Sequence, residues 1–152
     1  MPDIATNRKA RHDYHILETI EAGMVLTGTE VKSIRAGKVQ VRSAFARVER
    51  GEMFLYDVDI QPYERASAEQ HEPRRPRKLL LHRQEIARLA GEVERAGRTI
   101  VALRLFWRRS HVKVELGVAK GKADADRRQD LKRRTEDRET ERLLASRQRR
   151  GK

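Results

Sequence analysis

Cysteine, long apolar runs and recognisable catalytic motifs are all absent from this 152-residue sequence. Without cysteine the chain has no disulfide framework, no thiol nucleophile and no cysteine-based zinc site. No apolar run approaches the roughly 20 residues that a membrane-spanning helix needs. The first residues also lack the pattern of a secretory signal. Together these absences predict a cytoplasmic protein with no membrane partner.

The histidines do not form a catalytic or metal-binding pattern. No HExxH, GxSxG or phosphate-binding glycine motif occurs. The five histidines are scattered along the chain, at His12, His15, His71, His82 and His111. We therefore expect no enzyme, no cofactor and no metal. A ribonuclease that uses two of these histidines as acid and base stays open as an alternative.

Positive charge dominates the composition. The chain has 35 Lys and Arg residues against 23 Asp and Glu residues, a formal net charge of +12. Such an excess favours a nucleic acid as partner. Half of it lies in residues 120–152, where the apolar residues other than alanine are Leu131, Leu143 and Leu144. We predict a folded domain over residues 1–119 and a basic tail over residues 120–152 that is disordered when free.

Residues 7–37 hold the densest set of local signals. A basic lead-in of Arg8, Lys9, Arg11 and His12 is followed by a predicted strand over residues 14–20 and a bend at 21–23. Thr27 stands three residues before Glu30, which is the spacing of a helix capping box. We therefore predict a short capped helix after Thr27. Gly37 is placed to end it in the left-handed conformation.

The sequence after residue 37 predicts short strands and one further helix. Strands are predicted over residues 39–49, 53–60, 98–107 and 111–119, with a turn or short strand at 79–81 and a loop over 61–77. Gly51 fits a hairpin turn, and a second helix begins at Arg83 and ends at Gly97. About six short strands in about 120 residues favour a small closed antiparallel barrel, because closure removes the sheet edges.

Five sequence blocks, in order, resemble the SsrA-binding protein family, also called small protein B. They are residues 7–14 (NRKARHDY), 21–23 (EAG), 26–37 (LTGTEVKSIRAG), 77–81 (RKLLL) and 118–122 (VAKGK). The resemblance implies a mainly β fold, an oligonucleotide-binding-like barrel with two to three helices at its side. It implies a non-catalytic protein that binds the tRNA-like part of transfer-messenger RNA, is a monomer when free, and brings this RNA to stalled ribosomes.

The resemblance also assigns candidate RNA-binding residues. It places Glu21, Leu80 and Lys113 on the RNA-binding face; a carboxylate there would accept hydrogen bonds from bases, and a lysine would contact phosphate. By pattern alone Glu21 is a solvated turn residue, Leu80 a core residue and Lys113 the polar face of a strand. The face is extended by Asn7, Arg11, His12 and Tyr14. Tyr14 fits either base stacking or the core.

The tail is expected to become helical along ribosomal RNA. Its composition has fair helix propensity, but its arginine ladder is self-repulsive until an anionic partner binds. The resemblance implies that it enters the decoding centre and the messenger channel through Lys120, Gly121, Lys122, Asp126, Arg127, Arg128, Lys132, Arg133, Leu143 and Leu144. Relatives often have Tyr or His where this chain has Ala125, and Phe where it has His15. The alternative from a different class is a general structural RNA-binder such as a ribosomal protein.

Overall fold

The structure is a computed structural model that describes residues 3–63, 70–95 and 97–122. The chain divides into two units, Met1–Gly121 and Lys122–Lys152, and the fold below is that of the first. In the described part the helices are α1 (Arg8–Asp13), α2 (Gly28–Arg35) and α3 (Arg83–Glu94). The strands are β1 (Asp3–Thr6), β2 (Tyr14–Met24), β3 (Val39–Gln40), β4 (Phe45–Glu49), β5 (Glu52–Tyr56), β6 (Asp59–Ile60), β7 (Arg77–Leu80), β8 (Arg98–Arg108) and β9 (His111–Gly121).

Six of these strands close into a ring, which confirms the predicted barrel. Strand β8 pairs with β4, β4 with β5, β5 with β7, β7 with β2 and β2 with β9, and β9 pairs again with β8. Every one of these pairs is antiparallel. Strand β1 adds to β8 beyond the ring, and β3 and β6 form a separate two-stranded sheet. Closure pairs the backbone groups that an open sheet would leave exposed.

Strands β8 and β9 form the long hairpin that supplies much of the core. Their alternating apolar residues point inward and are almost fully buried; they include Ile100, Leu105, Val114, Leu116 and Val118. The strands join through a two-residue turn in which Arg109 takes a φ of 59°. Near the turn, the outward positions of these strands carry Arg104, Arg108, Lys113 and Glu115 around Phe106, so this end of the hairpin presents a largely charged surface.

Helix α2 forms as its sequence predicts. The Thr27 side chain accepts a hydrogen bond from the Glu30 backbone N–H, and the Glu30 carboxylate accepts one from the Thr27 N–H at 2.8 Å. The predicted capping box is therefore confirmed. Gly37 has a φ of 75° and Gly51 a φ of 77°, which is the left-handed conformation predicted for both glycines.

One local prediction is wrong. The expected bend at residues 21–23 is absent, because β2 continues to Met24 and pairs with β9 in one regular register from Glu18↔Val118 to Gly23↔Lys113. The basic lead-in, for which no helix was predicted, forms helix α1, which Asn7 caps by accepting a hydrogen bond from the Ala10 N–H at 3.1 Å. Six residues with one buried alanine carry too little apolar periodicity to be recognised as a helix.

The predicted strands also break where their backbones bend. Residues 39–49 divide into β3 and β4, and residues 53–60 divide into β5 and β6. In the second case Asp57, with a φ of 60°, interrupts the strand. Strand β7 already begins at Arg77, the last residue of the predicted loop. At the far end, β9 runs to Gly121, two residues beyond the predicted domain boundary.

A buried ion cluster joins α2 to β7. Glu30 and Arg77 are both fully buried, and Arg77 Nε donates to Glu30 Oε2 at 2.7 Å. Arg77 also donates to the Val58 carbonyl at 2.6 Å, and Arg75 donates to Glu30 Oε1 at 2.5 Å. The cluster fixes the start of β7 against the helix and thereby the position of Leu80, three residues later on the same strand.

Candidate nucleic-acid interface

Gly23 lies at the centre of the surface on which the predicted RNA-binding residues meet. In the strand register it is paired with Leu80 on one side and with Lys113 on the other. A Cβ atom at Gly23 would lie 3.3 Å from Leu80 Cβ and 3.5 Å from Lys113 Nζ. Glycine at this position therefore lets the two side chains approach each other across β2.

Glu21 projects from the same face of β2, because side chains two residues apart in a strand point the same way. The fold thus brings Glu21, Leu80 and Lys113 together from three strands. We call the outward surface formed by Glu21, Gly23, Leu80, Phe106, Arg108 and Lys113 the platform. The sequence resemblance named three of these six residues; the other three follow from the register.

Leu80 is the apolar part of the platform. Its side chain is 55% exposed, whereas Leu79 beside it is buried. Strand alternation places Leu79 in the core and Leu80 outside, so the pattern-based assignment of Leu80 to the core is wrong. A cleft of about 210 Å³ opens beside Leu80 and is lined by Trp107, His111 and Lys113 among others. An exposed leucine beside an aromatic side chain and a lysine offers contacts for both a base and a phosphate.

Charged pairs surround Glu21. It lies directly opposite Glu115 on β9, an arrangement that is unfavourable for two carboxylates unless cations intervene. Arg108 Nη2 donates to Glu21 Oε1 at 2.8 Å. Arg104 donates to Glu115 at 3.2 Å and to Asp3 Oδ1 at 2.7 Å. Hydrogen bonding to Asp3, reinforced by Glu115, raises the pKa of Arg104.

Phe106 connects these arginines to Lys113. It pairs with Lys113 across β8 and β9 and faces outward, yet it is only 4% exposed. The guanidinium groups of Arg104 and Arg108 cover its ring, 4.2 Å and 5.5 Å from the ring centroid. Cation–π contacts of this kind hold arginine side chains over a ring without consuming their hydrogen-bond donors.

The candidates on and near α1 have different environments. Asn7 is 4% exposed; its side chain caps α1 and donates to the Ala102 carbonyl at 2.8 Å. Arg11 is more than half exposed and lies 3.9 Å from Glu115. His12 lies 3.0 Å from the Asp13 carboxylate. Tyr14 packs against a small apolar cluster beneath α1. Arg11 thus adjoins the platform, whereas Asn7 supports the helix from inside.

The described residues contain no group of three or more His, Asp or Glu side chains that could hold a metal ion. The most buried histidine, His71, makes structural contacts: its ring bonds with the Thr29 hydroxyl at 2.9 Å and the Ile60 carbonyl at 2.8 Å. Within residues 3–63, 70–95 and 97–122, no helix is long and apolar enough to cross a membrane.

The tail candidates divide at the end of the described chain. Lys120 and Gly121 belong to β9 and pair with His15 and Tyr14, and Lys122 follows. The other tail candidates, Asp126, Arg127, Arg128, Lys132, Arg133, Leu143 and Leu144, lie outside the described residues, as does Ala125. Their roles stay predictions.

Comparison with known proteins gives one consistent result. A family model described as SmpB protein matches residues 4–146. The "SsrA-binding protein" of Roseiflexus sp. (strain RS-1) is 57% identical over 148 residues, covering 97% of this chain and 94% of that protein. The protein of the same name from Carboxydothermus hydrogenoformans is 53% identical over 144 residues, covering 95% of this chain and 97% of its own length.

A solved structure agrees with the sequence comparisons. It is described as "tmRNA-SmpB: a journey to the center of the bacterial ribosome" and aligns with a TM-score of 0.66 at 54% sequence identity. The alignment covers 78% of this chain and 84% of that one. The family model, which matches residues 4–146, includes every strand of the barrel that carries the platform.

Proposed function

This chain belongs to the SmpB protein family, and from that premise we propose that it is a non-catalytic protein that binds transfer-messenger RNA. It delivers this RNA to the A site of stalled ribosomes, where the nascent peptide is tagged and the ribosome is released. The names of its relatives and of the matching solved structure point to the same RNA and to the ribosome. The protein works in the cytoplasm with its RNA and the ribosome as partners.

The observation that carries this proposal is the meeting of Glu21, Leu80 and Lys113 around Gly23. A surface for phosphate alone would be uniformly basic. This one combines a carboxylate, an exposed apolar side chain and a lysine. A carboxylate repels phosphate but accepts hydrogen bonds from base N–H groups. The combination therefore favours unpaired bases held in a fixed shape, as in the loops of a structured RNA.

Each platform residue takes a distinct role in this function. Leu80 gives an apolar surface to a base that has left its stack. Lys113, which makes no salt bridge among the described residues, contacts a neighbouring phosphate. Glu21 accepts hydrogen bonds from a base edge. Arg11 lies close enough to Glu115 to extend the surface toward α1.

The tail serves the second partner. Residues 120–152 hold half of the excess positive charge and almost no apolar residues other than alanine. Such a segment fits an extended anionic channel better than a protein core. In the proposed function it enters the decoding centre and the empty messenger channel. Protein and RNA together then imitate a transfer RNA, and the barrel stands in for the missing anticodon arm.

Sequencing of the RNA that copurifies with the protein tests this function directly. The full chain is purified from cells that contain transfer-messenger RNA, and the bound RNA is compared with that recovered by a Glu21→Ala, Lys113→Ala variant. We expect one dominant structured RNA with the wild-type chain and a depleted yield of it with the variant. Recovery of mixed ribosomal fragments would instead indicate a structural RNA-binder. Shortening of purified RNA during incubation would indicate a ribonuclease.

A further inference from the structure

Arg108 is the platform cation whose position the sequence does not explain. It starts on β8 and reaches across β9 to the carboxylate of Glu21 on β2. Both side chains are substantially exposed, Arg108 at 56% and Glu21 at 44%. Exposed ion pairs contribute little to stability because water screens both charges. Arg108 and Glu21 can therefore exchange each other for new partners at little cost in stability.

Ion pairing offsets most of the charge on and around the platform in the free protein. Glu21, Glu115 and Asp3 lie against Arg108 and Arg104, and Arg11 approaches Glu115 from α1. With Lys113 included, four cations meet three carboxylates here, a local excess of only +1 in a protein whose net charge is +12. A phosphate backbone that meets only Lys113 gains less there than at the more numerous basic groups elsewhere, which attract any RNA.

Arg108 differs from Arg104 in how firmly it is held. Arg104 bonds to two carboxylates, is 30% exposed and lies closer to the shared Phe106 ring. Arg108 has one carboxylate partner among the described residues and is nearly twice as exposed. The Phe106 ring, 5.5 Å from the Arg108 guanidinium, offers that side chain a platform contact that does not depend on Glu21. Arg108 is therefore the arginine that can exchange partners.

We infer that Arg108 is a specificity-determining residue. Its ion pair with Glu21 opens only for an RNA that offers both a phosphate to Arg108 and a base N–H group to Glu21. This inference rests on the proposed function. Movement of Arg108 to a phosphate leaves Glu21 bare, opposite Glu115 and close to that phosphate. A base N–H donor at Glu21 removes this penalty. RNA with phosphate alone leaves the pair closed; RNA with a phosphate and a suitably placed base edge opens it.

The salt dependence of binding distinguishes this exchange from an ordinary phosphate contact. Each phosphate neutralised adds about 0.7–0.9 to the slope of log affinity against log salt. Because the Arg108–Glu21 pair opens only for the cognate RNA, Arg108 should contribute to this slope with that RNA but not with other RNA. The two probes are the transcribed tRNA-like part of transfer-messenger RNA and poly(U).

Two single variants give opposite results. Arg108→Ala lowers the slope with the tRNA-like RNA by about 0.7–0.9, the contribution of one phosphate, and leaves the slope with poly(U) unchanged. Glu21→Gln frees Arg108, so the slope with poly(U) rises by about the same amount. The double variant, Glu21→Gln with Arg108→Ala, returns the poly(U) slope to that of the wild type. Preference for the tRNA-like RNA falls about tenfold in each single variant.

A second exposed pair provides the matched control. Arg88 on α3 donates to both oxygens of Glu18, at 2.6 and 2.7 Å, and both side chains are also exposed. Glu18→Gln removes the same charge outside the platform and should leave both slopes unchanged. An equal rise of the poly(U) slope in Glu18→Gln and Glu21→Gln would mean a general effect of net charge and would overturn the inference.

A charge-reversed pair separates recognition from structure. The variant Glu21→Arg with Arg108→Glu keeps an ion pair but exchanges its roles. We expect it to melt at the wild-type temperature and to lose its preference for the tRNA-like RNA. Retention of that preference, or an Arg108→Ala variant whose slope falls equally with both RNAs, would show that Arg108 does not control access to Glu21. A wild-type protein with no preference at all would instead refute the proposed function itself.

Discussion

Glu30 and Arg77 form an ion pair in which neither side chain is exposed: Arg77 Nη2 lies 2.6 Å from Glu30 Oε2. Glu30 stands in the first turn of α2 and Arg77 begins β7. Burial by itself raises the pKa of Glu30, but hydrogen bonds from Arg75, the Thr27 N–H and Arg77 outweigh it and hold that pKa below its usual value. The pair therefore couples the capped helix to the strand that carries Leu80.

Replacement of Arg77 should destabilise the whole barrel. Arg77→Ala leaves the Glu30 carboxylate buried with Arg75 as its remaining cation, and it also removes the donors to three backbone carbonyls. Breaking a buried pair in this way costs about 3–5 kcal/mol of unfolding free energy. Urea denaturation followed by circular dichroism measures it. Arg74→Ala, which removes an exposed arginine 3.7 Å from Asp59, should change stability by less than about 1 kcal/mol; equal losses would contradict the coupling.

Acid should weaken the barrel through Glu30. A carboxyl group whose pKa is lowered on folding stabilises the protein above its unfolded pKa of about 4.3, and this contribution is lost as pH falls through the lower folded pKa. The melting temperature of the wild type should therefore drop as the pH falls below about 4.3. Glu30→Gln starts less stable but should lose less over the same interval. Parallel curves for the two proteins would assign the acid sensitivity to other carboxylates.

Substitution of Gly23 should affect RNA binding more than folding. Gly23 has an ordinary strand conformation, so alanine there introduces no backbone strain. Its Cβ would crowd Leu80 Cβ at 3.3 Å and touch Lys113 Nζ at 3.5 Å, so Leu80 would have to shift at the centre of the platform. We expect Gly23→Ala to fold normally and to bind the tRNA-like RNA several-fold more weakly in a gel-shift assay. Gly91→Ala, in the open middle of α3, should bind normally and gain about 0.5–1 kcal/mol of stability.

The short-range parts of this fold follow from the sequence. The capping box at Thr27 and Glu30, the left-handed Gly37 and the alternation of β9 depend on neighbouring residues, and each is found as predicted. The barrel also follows, because many short strands leave closure as the simplest way to pair their edges. The bend predicted at residues 21–23 failed because pairing with β9 overrides a local turn preference.

The long-range parts do not follow in the same way. Nothing near Glu30 indicates that Arg77 will neutralise it, and nothing near Arg108 indicates Glu21. The glycine between Leu80 and Lys113 carries no signal until the register is known. The pattern alone places Leu80 in the core, because a run of three leucines does not say which one faces outward. These features require the strand register, which only the folded chain provides.

Removal of the Glu21 carboxylate should separate specific from non-specific binding. Glu21→Ala deletes the acceptor proposed for a base edge, so binding to the tRNA-like RNA should weaken by about 1–3 kcal/mol. Non-specific RNA should bind as well or more tightly, because a negative charge has gone. Filter binding of both RNAs at one salt concentration measures the difference. Full specific affinity in a normally folded variant would return Glu21 to the class of solvated strand residues.

Truncation after Gly121 should divide RNA binding from ribosome rescue. The cut follows the last residue of β9, so the pairs Tyr14↔Gly121 and His15↔Lys120 remain intact and the barrel should fold. The platform stays complete, because Glu21, Leu80 and Lys113 all precede the cut. We therefore expect gel-shift affinity for transfer-messenger RNA close to that of the full chain. Peptide tagging on ribosomes stalled without a stop codon should be lost. The tail's basic residues do not pack in a core, and a stalled ribosome offers the second anionic surface that they fit.

A thermal melt of the truncated chain controls for a folding defect. Normal tagging would remove the proposed role of residues 122–152, and lost RNA binding in a folded barrel would move part of the RNA site into the tail.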